Sequence, residues 1–186
     1  MVSVGALWLP ILVAAVLIFI VSTIIHAFLG YHNSDFRGVP NEEGLRAALR
    51  PLNIPAGDYI VPHAKDANER RTEEFMAKAK EGPIVFMTVL GADAFKMGPS
   101  LIQWFVYCLM TGAFAAYLTG GAYGPGAEYM AIFGMSGTVA FLGYGWALLQ
   151  QSIWTKKNWA ATGKSLFDAW VYGLVTAGTF GWLWPA

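Results

Sequence analysis

Four long apolar stretches punctuate this chain, at residues 4–30, 100–120, 129–150 and 165–185, and the polar stretches between them are very unequal. A helix needs about 20 apolar residues to cross the ~30 Å hydrocarbon core of a bilayer, so each stretch reads as a transmembrane helix. The first has no charged side chain apart from a possible charge on His26, and Pro10 near its start falls where a missing N–H costs little. No Lys or Arg precedes Arg37 and the run is too long for a signal-peptide core, which predicts a retained helix. The expected fold is an all-α membrane protein of four transmembrane helices. A small cytoplasmic helical insert, with α+β as an alternative, is expected between helices 1 and 2, at residues 31–99.

The insert has its own local pattern. Asn41-Glu42-Glu43 ahead of Leu45, with Arg46 and Arg50 beyond, matches a short helix with charges set against its dipole. Pro51 and Pro55 end it, and residues 55–62 read as a turn and a short extended segment. Residues 68–80 predict a second helix, with Glu74 and Lys78 in the favourable i,i+4 order, stopped by Gly82-Pro83. Residues 84–90 are β-branched and aromatic and too short to span; they read as a strand pairing with Tyr59–Val61 or as a segment in the interface.

Charge orients the helices. The insert holds nine of the twelve Lys and Arg residues, and the other three (Lys156, Lys157, Lys164) fall in the link between the third and fourth runs. Cytoplasmic loops are enriched in Lys and Arg, so the insert and this link are expected in the cytoplasm and both termini outside. The Trp and Tyr residues cluster near the expected boundaries, where an apolar ring with a polar edge is best placed. The zero net charge argues against a nucleic-acid partner. The single cysteine, Cys108, excludes an internal disulfide and a cysteine metal cluster.

Small residues recur at helical spacing: Gly112, Ala116 and Gly120 in the second apolar run, Gly137 and Gly145 in the third, Gly173, Ala177 and Gly181 in the fourth. Such lines let membrane helices approach closely, either within one bundle or against another subunit. Among ionisable groups, Asp168 stands out. Ser165-Leu-Phe-Asp168 fits a capping box, in which the acid would bond back to the start of the fourth helix. The alternative is an intramembrane polar site shared with His26, which should lie at a similar depth on the first helix. His26, His32, Asp35 and His63 have no known metal-ligand spacing, so no metal is expected, and Glu128 is expected to stabilise the N-terminus of the third helix. No cofactor is assignable: a pigment, haem or lipid is left open, and a haem on His26 has one membrane histidine behind it. No catalytic set such as G-x-S-x-G or H-E-x-x-H is present.

Ser152-Ile-Trp154, Trp159, Lys164, Phe167-Asp168, Tyr172 and the run from Thr176 to Pro185 resemble a group of small bacterial inner-membrane proteins. Pro40-Asn-Glu-Glu, residues 55–59 and Gly82-Pro83 are similar as well. The resemblance implies a bacterial inner-membrane location and one shared architecture, and carries no activity or site residues across. The expected function is a non-catalytic accessory subunit of a larger membrane complex, with lipids and other subunits, or copies of itself, as partners. The alternative is a small homo-oligomeric transporter or channel for protons, ions or small solutes, using His26, Asp168, Thr111, Ser136, Thr138 and Thr176. A membrane enzyme acting on lipid, with a site near His32, Asp35 and Lys164, is the third option.

Overall fold

The computed structural model describes all residues, Met1–Ala186, and divides into two units, Met1–Arg37 with Gly98–Ala186, and Gly38–Met97. In the larger unit the chain begins with a 3-10 turn, Val4–Leu7, running straight into helix α1, Trp8–Thr23. A wide π-turn, Ile24–Phe28, continues it. In the smaller unit, α2 (Glu42–Leu49) is capped by the Asn41 side chain, which accepts from the Gly44 N–H at 2.9 Å. Strands β1 (Gly57–Val61) and β2 (Val85–Val89) flank α3 (Glu73–Glu81). The remaining helices belong to the larger unit: α4 (Met97–Ala122, its first residue apart), α5 (Tyr129–Gly145), α6 (Leu149–Trp154) and α7 (Trp159–Trp182).

Three stretches are long and apolar enough to cross a membrane: Val4–Phe28, Met97–Ala122 and Tyr129–Trp154. The third is α5 carried through a 3-10 joint, Trp146–Leu148, into α6. At 24 residues α7 has the length, but Lys164, Asp168 and its many Gly, Thr and Ala residues make it less apolar than the other three.

Residues from α1, α4, α5 and α7 meet in two core clusters. One contains Ala15, Ile18, Cys108, Ala140, Tyr144, Ala169 and Tyr172; the other contains Leu7, Ala14, Ala115, Ala116, Ile132 and Phe180. The small residues are what let the helices close. A Cβ on Gly137 would stand 2.8 Å from the Ala177 methyl, and one on Gly145 would stand 2.6 Å from that of Ala169. Gly173 faces the Gly137 carbonyl, Gly181 the Tyr129 ring, Gly112 the Ile11 side chain and Gly120 the backbone of Val2. Polar ties cross the same seams, from Trp104 Nε1 to Ser22 Oγ at 2.9 Å and from the Tyr107 hydroxyl to the Gly143 carbonyl at 2.5 Å.

In the smaller unit β1 and β2 form an antiparallel pair with Tyr59 opposite Met87, so the strand alternative for this segment holds. The second predicted helix is divided. Asp66 accepts from the N–H groups of Asn68 and Glu69 and starts a short 3-10 turn, Glu69–Arg71; Thr72 then turns extended and caps α3 through the Phe75 N–H. Gly82, at a φ of +68°, ends α3 where an L side chain would be strained. Ala64 is the one apolar residue of this unit that is buried.

Candidate functional site

The site is assembled where α1 ends. In the π-turn the Leu29 N–H reaches back to the Ile24 carbonyl at 3.2 Å, one residue further than an α-helix allows. Gly30 follows at a φ of +64°, a left-handed step that reverses the chain. A 3-10 turn, Tyr31–Ser34, then lies against α7. Three consecutive backbone features therefore aim His26, Tyr31, His32 and Asp35 at one patch of that helix.

At the centre stands Asp168, only 4% exposed. Its position overturns the capping reading. Helix α7 starts at Trp159, where the Asn158 side chain caps it through the Ala160 N–H at 2.9 Å. Ser165 lies inside the helix, its hydroxyl bonded back to the Ala161 carbonyl at 3.1 Å. Asp168 thus sits about 14 Å along the helix from Trp159, at 1.5 Å per residue, with no helix end to cap. The serine–acid spacing was right for a box, but Asn158 had already supplied the start.

The Asp168 carboxylate is instead held by the turn after α1. Tyr31 donates its hydroxyl to Oδ1, and His32 Nε2 lies 2.8 Å from Oδ2. His26 Nε2 stands 4.0 Å from the same Oδ2, so the two residues expected at a common depth do face each other. The other ring nitrogen of His32, Nδ1, contacts Asp35 Oδ2 at 2.6 Å. Asp35 Oδ1 accepts from Lys164 Nζ at 2.8 Å, and the same ammonium donates to the Tyr31 carbonyl at 2.6 Å and the Ser34 hydroxyl at 2.7 Å. All three Lys164 donors are spent on this turn.

The electrostatics follow from that chain of contacts. Lys164 beside Asp35, with His32 on its other oxygen, holds the Asp35 carboxyl below the usual carboxylate range. Burial, followed by the bond to Asp168, raises the Tyr31 phenol, so it stays a donor. Each ring nitrogen of His32 faces a carboxylate oxygen. Lys164 is paired with Asp35, so the Asp168 carboxylate has Tyr31 and the histidines, and no lysine or arginine, beside it.

Sequence reasoning singled out His26 and Asp168 as a pair and named His32, Asp35 and Lys164 separately; all five meet here. Tyr31 was missed, and no local pattern marks it. His63 lies in the smaller unit, outside this cluster. Of the residues expected to line a path, Ser136 and Thr176 bond to their own helix carbonyls, at 2.7 Å and 2.9 Å, while Thr111 is buried and Thr138 is exposed. Glu128 occupies the N-cap position of α5 without a side-chain capping bond.

No family model, curated protein or solved structure matches this chain.

Proposed function

We propose that this is a small cation-handling membrane protein, in which the Asp168 cluster takes up a positively charged species at one end of a four-helix membrane bundle. The observation that carries the reading is the buried Asp168 carboxylate, gripped by Tyr31 and His32 and faced by His26. A carboxylate inside a membrane helix is expensive and is kept where it handles charge. On this reading α7 is the fourth span. The basic residues Lys156 and Lys157 just before α7 favour a cytoplasmic start for that helix, in a bacterial inner membrane, with the cation entering from that side. Of the two histidines His26 is the more exposed, its side chain 54% exposed against 15% for His32, which makes it the point of entry on this reading.

The test is flux in proteoliposomes, with protons, Na⁺, K⁺, Mg²⁺, Mn²⁺ and Zn²⁺ offered in turn, for the native protein and for a variant carrying Asp168→Asn and His26→Ala. One cation is expected to move, or to raise the thermal midpoint, in the native protein and not in the variant. A response that survives both substitutions removes the cluster from the mechanism.

An accessory role in a larger complex is kept as a second reading because of one surface feature. A groove of about 230 Å³ lies between α5 and α7, lined by Gly134, Gly137 and Gly173 together with Phe133, Phe141 and Trp170. A partner helix fits a surface of that kind. Native mass spectrometry from mild detergent separates the readings: larger co-migrating subunits support the accessory role, and a lone protein or small homo-oligomer supports the first reading.

A further inference from the structure

We propose that His26, His32 and Asp168 bind a single divalent transition metal of the zinc class, through His26 Nε2, His32 Nε2 and one carboxylate oxygen. The proposal rests on the cation reading above and names the cation.

The donor set points to the metal class. Two imidazoles and one carboxylate suit zinc and its neighbours in the first transition row, whereas magnesium and calcium favour oxygen ligands throughout. The three donor atoms lie within 4.8 Å of one another. Bonds of about 2.0–2.1 Å in a tetrahedral arrangement put ligand atoms about 3.4 Å apart. His32 and Asp168, at 2.8 Å, must open slightly, and His26, at 4.0 Å from Asp168, must move in. His26 has the freedom to do so, because its ring is exposed and sits at the π-turn.

The surroundings have the form that metal-binding histidines need. A ligating imidazole usually donates its other N–H to a carboxylate, which fixes the tautomer and aims the free lone pair at the metal. His32 Nδ1 lies 2.6 Å from Asp35 Oδ2, placed to donate in this way, and Lys164 holds Asp35 in turn. Tyr31 occupies the second oxygen of Asp168, leaving Oδ2 for the ion. The metal would then add positive charge beside Asp168, the carboxylate that Lys164 does not pair. Three protein ligands leave a fourth position for water or a substrate group, the pattern of an exchangeable or reactive zinc site.

The experiment uses the full-length protein in detergent, stripped with a chelator and titrated with Co²⁺, then with Zn²⁺. One equivalent of Co²⁺ is expected to give the intense visible bands of a four-coordinate site, and Zn²⁺ should abolish them. Elemental analysis should find one metal per chain. A His26→Ala, His32→Ala double variant that still elutes as a folded protein should lose the bands. Asp35→Asn should keep them while weakening affinity about 10–100-fold, and His63→Ala should bind as the native protein does. Absence of the bands in the native protein overturns the assignment, as does their persistence in the double variant. If Co²⁺ fails while another cation still responds to Asp168→Asn, the metal is wrong and the cation reading survives. If neither responds, both fall.

Discussion

Two tyrosines near Asp168 separate a hydroxyl that holds the site from one that does not. Tyr31 donates to the buried carboxylate, so Tyr31→Phe leaves an acceptor short of a partner and should cost about 1–3 kcal/mol, read as a lower thermal midpoint in detergent. The buried Tyr172 hydroxyl has no protein partner, and Tyr172→Phe should leave the midpoint unchanged or raise it. Lys164→Met keeps the aliphatic stem but removes three donors from the turn, and trypsin should then cut after Arg37 faster than in the native protein. At this scale the sequence was half legible. That His26 and Asp168 come together, 4.0 Å apart, follows from their similar distance from the ends of their apolar runs. Tyr31 does not, because its approach depends on the π-turn and the left-handed Gly30, and neither a wide turn nor its direction is written in apolar periodicity.

Among elements, the seam between α5 and α7 is set by glycine. Gly137→Ala and Gly145→Ala each push a methyl into a neighbour at 2.8 Å and 2.6 Å and should destabilise by about 1–3 kcal/mol. Gly134→Ala, which meets nothing within 4 Å, is the control and should be neutral or slightly stabilising in the same melting assay. The fourfold spacing of these residues announced close packing, but spacing cannot say which partner each one meets. The structure sets Gly112 against Ile11 of α1 and Gly137 against Ala177 of α7. The start of α7 was misplaced for a related reason. Ser165 and Asp168 have a spacing that serves equally at a helix start and within a helix, and Asn158, an adequate cap, lay seven residues upstream.

For the molecule as a whole, the two units differ in how they are held. The bundle buries residues from four helices, whereas the Gly38–Met97 unit buries Ala64 alone among its apolar residues. Expressed by itself, that segment should lack a cooperative melting transition by circular dichroism; a sharp transition would show that the hairpin and two short helices suffice. Its second strand was half legible: residues 84–90 are rich in β-branched side chains and left a strand or an interfacial segment open, and the pairing with β1 decides for the strand. Its exposed ion pair, Glu74 with Lys78, was legible too, and Lys78→Ala should leave the melt of the full-length protein unchanged.

The π-turn at Ile24–Phe28 makes the cluster a matter of residue count as well as residue type. It accommodates one residue more than a regular helix would, and deleting Ala27 would let the segment relax to α-helix. The deletion and the narrowing of the turn would cancel, because four α-helical residues sweep nearly the angle that the five residues of the wide turn sweep. Tyr31 and His32 would then still face Asp168. A residue inserted after Phe28 is different, because the turn is already widened: everything beyond it would swing by about 100° around the axis, with every ligand still present in the sequence. Such an insertion should disable the site as thoroughly as replacing Asp168, whereas deleting Ala27 should be tolerated.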